Sequence, residues 1–256
     1  MLFTREIKKG NAEELIIGGK KLSDFTTEAE VITTGVEGRD GYQAEPEIID
    51  DIDGREGGVF LDTRLPSRTI TVHYLLRAKS TDAYRMAFND MAQELAQYRV
   101  PTQISFNDES EWAFNGILKE FSVPSPGKLS VDGELVFICP DPYKYGLKKR
   151  IPPGSKAVIG KIPFPLYADE IILKPGIADS VTVKNITTGR RIKILISTTE
   201  QDVVKIEGNK IYKNIEPVTR YVDYTVSDLH GFVLHTGDII QAESGTVEIM
   251  YRERRL

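Results

Sequence analysis

Apolar and polar positions alternate with period two along most of this chain. In 68–77 (RTITVHYLLR), Ile70, Val72, Tyr74 and Leu76 share one face, which predicts a strand with one buried side. The runs 102–106 (TQISF) and 112–121 (WAFNGILKEF) flank the polar stretch NDESE and predict a hairpin. In 129–139, Leu129, Val131, Leu135, Phe137 and Cys139 fall on one side, Val136 and Ile138 on the other, so the end of this strand is expected to be buried on both faces. One segment departs from the pattern. In 80–99, Tyr84, Ala87, Phe88, Met91, Leu95 and Tyr98 recur at helical spacing, with Ser80 placed as N-cap and Asp82 in the first turn. Pro101 stops it, and this is the one helix predicted.

The strand from Leu129 runs into CPDPYKYG, where Pro140 and Pro142 remove two ladder donors. The pattern therefore divides the chain into domains 1–141 and 142–256, with KKRIPPG as the link onward and the nearby tyrosines expected at the joint. The link is the expected first site of proteolysis, around Lys148–Arg150. Prolines 152, 153, 163 and 165 are expected to interrupt regular structure through 146–170. Strands then resume in SVTVKNIT, RRIKILIST, DVVKIEGNKIYKN, RYVDYTVS, HTGDIIQA and GTVEIMYRERRL, with Gly208-Asn209 as a two-residue turn. Roughly eight short strands at regular spacing predict a β-sandwich. Neither half repeats the other.

Between the first strands lies 37–66, a long excursion rich in Gly, Asp and Glu. Its DDIDGRE resembles a calcium loop but lacks the D-x-D-x-D-G register and the Glu at position 12. An exposed loop or contact arm is the simpler reading.

Charge divides the chain unevenly. Residues 1–141 hold 15 Lys and Arg against 25 Asp and Glu, net −10; residues 142–256 hold 18 against 13, net +5. A domain at −10 would approach nucleic-acid phosphates against its own field. The 40% apolar and 28% charged composition is that of a soluble globular protein, with no apolar run near the ~20 residues of a membrane span and no secretory h-region. Cys139 is alone and the three histidines are scattered, so neither a disulfide nor a metal site is expected, and the thiol is read as a small buried apolar group. No nucleophile elbow, P-loop, dinucleotide fingerprint or H-E-x-x-H motif occurs. Carboxylate pairs such as Asp50/Asp51 and Glu109/Glu111 sit in polar loops with nothing apolar to raise a pKa. Beside a structural role, a carbohydrate-binding accessory module touching a cell wall is the second reading. The only tryptophan, Trp112, lies in the first half, so Tyr212, Tyr221, Tyr224 or Tyr251 would have to serve as stacking platforms, and each fits a strand core equally well. A hydrolase using unrecognised carboxylates is a third.

Taken in order, RTITVHYLL, the helix DAYRMAFNDMAQEL, the W-x-F-N-G strand, the closing L-V-F-I-C-P-D-P-Y-K-Y and the final GDIIQAESGTVEIMYRERRL resemble the distal tail proteins (Dit) of long-tailed phages of Gram-positive hosts. The resemblance covers essentially the whole chain, and P-D-P-Y is its most specific part. It implies a mainly β fold, an N-terminal ring-forming β-sandwich with one helix followed by a C-terminal galectin-like β-sandwich. It implies a non-enzymatic structural protein without cofactors. Six copies would form a ring joining the tail tube protein to the tail-tip protein, with receptor-binding proteins as further partners, and would let DNA pass without holding it. The location implied is the distal end of the virion tail, after synthesis in the host cytoplasm. Some members carry a long arm in the C-terminal domain; 142–256 leaves no room for one.

Ring closure needs two different patches that meet between copies. The excursion is the candidate arm, with Ile52, Phe60 and Leu61 as apolar anchors and Arg55 and Arg64 pairing acidic neighbours. Its acids Glu45, Glu47, Asp50, Asp51, Asp53 and Glu56 are candidates for lining the central channel; facing outward and aiding solubility is the rival reading.

Overall fold

The computed structural model describes residues 13–49, 56–122 and 129–256. The protein is mainly β. The described chain separates into two compact units, one ending at Lys144 and one of Tyr145–Arg255.

In the first unit the strands are β1 (Leu15–Ile17), β2 (Lys20–Lys21), β3 (Ala29–Glu37), β4 (Glu45–Ile49), β5 (Val59–Arg64), β6 (Arg68–Ala78), β7 (Thr102–Phe106), β8 (Ala113–Phe121) and β9 (Ser130–Cys139). Antiparallel pairing runs β3-β6-β9-β8-β7-β1-β2. β8 carries the curvature: Ala113–Gly116 pair with β7, Ile117–Phe121 with β9. The sheet curls far enough for the Leu15 amide to donate to Thr33 Oγ1 of β3 at 3.2 Å. Alternation along β6 buries Ile70, Val72, Tyr74 and Leu76 completely, as the pattern requires.

Helix α1 (Thr81–Leu95) starts where the Ser80 hydroxyl accepts from the Ala83 amide at 3.1 Å, and a 3-10 turn, Ala96–Tyr98, continues it. Tyr84, Ala87, Met91 and Leu95 are buried, while Phe88 stacks on Phe121 at 4.9 Å and Tyr98 on Phe25 at 6.2 Å. Cys139 is wholly buried and desolvation pushes its thiol up to about 11. Two expectations for β9 need correction. Leu129 lies outside the strand and is exposed, and Val136 and Ile138 are half-buried, so the strand end is packed fully on one face only.

β9 meets β6 at Tyr74↔Gly133, where the tyrosine ring lies across the glycine. A Cβ on Gly133 would sit 2.3 Å from Tyr74 Cζ. Gly133→Ala is therefore expected to destabilise the first unit by about 1–3 kcal/mol, the usual cost of overpacking, read from urea unfolding.

The second unit holds β10 (Lys144–Gly154, whose first residue belongs to the first unit), β11 (Lys156–Val158), β12 (Glu170–Lys174), β13 (Val181–Asn185), β14 (Arg191–Ile194), β15 (Val204–Glu207), β16 (Lys210–Lys213), β17 (Glu216–Pro217), β18 (Ile239–Ala242) and β19 (Thr246–Arg255). One sheet runs β17-β16-β15-β12-β19-β10, the other β11-β18-β13-β14. Leu173, Val204, Ile211, Val247 and Ile249 from the first meet Val183, Ile194 and Ile240 from the second in one buried core. The turn at Gly208-Asn209 joins β15 to β16 as expected.

Two expectations fail here. Residues 144–154 form a strand rather than an irregular link, although Leu147–Arg150 are exposed as expected; Pro152 and Pro153 fall among its last three residues, where φ suits extended backbone. Its basic run is held by acids of the same unit: Lys148 by Glu170, Lys149 by Glu253 at 2.6 Å, and Arg150 by Glu248. Proteolysis is accordingly not expected to begin there. The segment RYVDYTVS is no strand either: Thr219–Tyr221 form a 3-10 turn and Val222 makes one isolated bridge to Ile194.

Candidate interface

The excursion folds as a hairpin. β4 pairs with β5 and, among the described residues, with no other strand. Register sets Glu45 opposite Arg64, Pro46 opposite Thr63, Glu47 opposite Asp62, Ile48 opposite Phe60 and Ile49 opposite Val59, so Leu61 is the extra residue of a bulge. Neither face is covered. Phe60 is 61% and Leu61 49% exposed, and Tyr42, Ile48 and Ile49 are exposed with them. A two-stranded ribbon is marginal by itself in water. This one also places like charges opposite each other at Glu47 and Asp62, which opposes pairing.

The sequence-derived anchors Phe60 and Leu61 thus lie together on this ribbon, and Arg64 is engaged within it by Glu45 at 2.8 Å. Glu45 is half-exposed, Glu47 and Glu56 exposed. Ile52, Arg55, Asp50, Asp51 and Asp53, like most of DDIDGRE, lie outside the described residues. Tyr42, Ile48 and Ile49 were missed from sequence; Ile48-Ile49 is an apolar pair inside an acidic run, and that contrast was the available signal.

The ribbon leaves the sheet at a pinned root. Arg68 occupies the buried phase of β6, in step with Ile70 and Val72, and is only 8% exposed. Its Nη1 donates to the carbonyls of Gly38 at 3.0 Å and Arg39 at 2.8 Å, its Nε to the carbonyl of Pro142 at 2.9 Å, and its guanidinium lies 5.3 Å from the centre of the Phe114 ring. Arg39 donates to Asp108 through Nη1 and Nη2, at 2.8 and 2.6 Å, and covers the Phe106 ring at 5.0 Å. Lys144 reaches both oxygens of Glu109 at 2.7 Å. Gly38 has φ 76°, and a Cβ there would meet the Thr69 carbonyl oxygen at 2.1 Å.

These contacts give P-D-P-Y-K a physical role. Pro140 ends β9, Asp141 Oδ1 accepts from the Tyr143 amide at 3.1 Å to set the turn, Pro142 offers its carbonyl to Arg68, and Lys144 ties down Glu109. The segments at 38–39, 107–109 and 140–144 are thereby drawn together where the ribbon departs.

The Arg39 guanidinium holds the Asp108 carboxyl below its usual range, against the opposing effect of desolvation. A depressed native pKa contributes stability above the unfolded value near 4, and that contribution is lost as pH falls through the native value. Asp108→Asn is therefore expected to lower unfolding stability at pH 6, with the gap to the parent closing toward pH 2; a pH-independent gap would show that the ion pair is not its source.

Residues 19–139, most of the first unit, match the family described as phage tail protein RIFT-related domain. The SPP1 Dit protein, described as a paradigm of the hub adsorption apparatus in phages infecting Gram-positive hosts, superposes with a TM-score of 0.75 at 16% identity, covering 96% of this chain and 100% of that one. A chain of the phage p2 baseplate in its activated conformation superposes at 0.53 with 11% identity, covering 88% and 90%. No curated protein matches by sequence. The resemblance to distal tail proteins read from the order of motifs is borne out. Residues 19–139 thus match the phage tail protein RIFT-related domain family, and nearly the whole chain takes the fold of the Dit hub protein.

Proposed function

We propose that this chain is a non-enzymatic hub of a phage tail, assembling as a closed ring of six at the distal end of the tail tube. The observation that carries the proposal is the uncovered ribbon β4–β5, with Phe60 and Leu61 exposed on a root fixed by Arg68 and Arg39. A stiff root with an apolar, half-unpaired extension suits head-to-tail contact, in which the ribbon of one copy lies on a different surface of the next. The free edge of β5 offers backbone groups to the neighbour's sheet, while Phe60, Leu61 and Ile48 supply apolar contact. Tail tube protein would meet one face of the ring, and tail-tip and receptor-binding proteins the other.

The net charge of −10 on 1–141 suits a channel that passes DNA without binding it, to which Glu47 and Glu56 would contribute if they face the lumen. If the same acids face outward, they serve solubility instead, and the channel wall of an assembled ring would be neutral or basic.

Solution mass over a range of concentrations tests the core of the proposal. A single species of six 28.7 kDa chains is expected once the concentration exceeds a threshold. A chain that stays monomeric at every concentration, alone and with its tail tube partner, would falsify the ring.

A further inference from the structure

The second unit contains a cleft of about 420 Å³, lined by Tyr167, Ala168, Ile171, Ile192, Ile206, Gly208, Asn209, Leu229, His230 and Phe232. Its floor comes from both sheets: Ile171 and Ile206 are cross-strand partners on β12 and β15, and Ile192 lies on β14. The cleft thus opens into the space between the sheets at one end of the sandwich. Its size falls within the ~300–1,000 Å³ usual for small-ligand sites.

The rim is fixed before any ligand arrives. Leu166 and Leu234 exchange backbone hydrogen bonds at 3.1 and 2.8 Å, tying the two rim segments together. Arg190 donates to the Gly231 carbonyl, and Asp228 Oδ1 accepts from the Gly231 amide at 2.7 Å. Tyr167 is 57% exposed, yet its hydroxyl donates to the His230 carbonyl at 2.8 Å, so the ring is held at the mouth. A rim fixed in this way spares a ligand the cost of ordering it.

The chemistry of the lining is selective. The floor is aliphatic and aromatic, and Ile171, Ile192, Ile206 and Phe232 are all buried. The mouth carries a flat phenol ring, an imidazole and a carboxamide, and no Lys, Arg, Asp or Glu lines it. An anionic ligand would find no counter-charge among these groups. Asn209 and His230 are exposed at the mouth, where they can donate to and accept from the hydroxyls of a ligand seated on the floor. A neutral pyranose uses each part: its C–H face stacks on Tyr167, and hydroxyls, which both donate and accept, suit the amide and the imidazole. An acetamido group improves the fit, because its methyl can enter the apolar floor while its amide stays at the polar mouth.

We infer that this cleft binds an N-acetylhexosamine residue of a neutral glycan. The four tyrosines that the sequence suggested as sugar platforms are placed differently: Tyr251 is core, Tyr221 lies against Arg220, and none of the four lines the cleft. The site lies in the second unit alone, so its standing is independent of the ring.

Titration of the full-length protein with N-acetylglucosamine and N-acetylgalactosamine, followed by ligand-observed NMR and calorimetry, tests the inference, with glucose and galactose as controls. Saturable binding of at least one N-acetylated sugar is expected, with its parent hexose weaker by roughly tenfold. Tyr167→Ala should abolish binding while leaving the unfolding transition in place, and Tyr167→Phe, which keeps the ring, should retain it. Absence of saturation by either N-acetylated sugar at about millimolar concentration overturns the inference. Undiminished binding by Tyr167→Ala does so too, as does a cleft that takes a short apolar peptide in preference to any sugar.

Discussion

Arg68→Ala is expected to destabilise the first unit by about 3–5 kcal/mol and to shift its thermal midpoint down by roughly 10 °C or more. The side chain is buried and makes three charge-assisted hydrogen bonds to main-chain carbonyls of Gly38, Arg39 and Pro142. Each such bond contributes about 1.5–3 kcal/mol, and truncation also leaves buried carbonyls unpaired, so the loss exceeds that of an ordinary surface arginine. Arg68→Lys retains charge but cannot present a planar fork to carbonyls on two separate segments, and an intermediate loss is expected. Differential scanning calorimetry with both variants distinguishes the outcomes. An alanine variant within about 0.5 kcal/mol of the parent would show that the root is held by the Arg39–Asp108 pair without Arg68.

The larger effect on assembly is expected from Phe60→Asp combined with Leu61→Asp. Both side chains are exposed in the single chain, so the fold should lose no more than about 0.5 kcal/mol. In an assembled ring the same positions would bury two unpaired carboxylates, a cost of several kcal/mol at every contact. The expected product is a folded monomer at concentrations more than a hundredfold above those at which the parent associates. Sedimentation velocity reads this directly, and an unchanged oligomer in the double variant would move the interface elsewhere on the molecule. Deleting 45–64 with a short glycine-serine bridge should give the same monomer, because the root contacts lie outside the deleted span.

The hydrophobic pattern made much of the fold legible. Period-two alternation gave β6, the β7–β8 hairpin and the turn at Gly208-Asn209, and period 3.6 gave α1 down to its Ser80 cap. Each of these elements buries a face against its own unit, so local pattern and tertiary environment agree. The failures have a common physical origin. Residues 144–154 read as a link because lysines and prolines signal exposure. Lys148 and Lys149 are indeed exposed, but the run pairs in the sheet beside β19 and its bases meet Glu170, Glu248 and Glu253, and all these partners are remote in sequence. RYVDYTVS alternates like a strand but has only one bridge to pair with.

The root of the ribbon was half visible. A lone arginine in the apolar phase of β6 is a detectable anomaly, because charge at a buried position demands a partner. The partners themselves, carbonyls at 38–39 and 142, carry no side-chain signature. Tyr167 was missed for a related reason. It lies in a proline-rich stretch with no periodicity, and only the folded chain brings it beside His230 and Asn209.

The two sides of the ribbon are not equivalent, and this limits how many strands it can recruit. β4 carries Pro46, which has no N–H to offer a further strand, whereas β5 contains no proline and departs from regularity only at the Leu61 bulge. β5 is left with the usable border. A ribbon with one competent border has a valence of one: it can seat a single neighbouring strand but cannot serve as a template for stacking in both directions. The protein can thus display Phe60, Leu61 and Ile48 at the concentrations reached during synthesis without entering the open-ended growth that leads from exposed strands to fibrils.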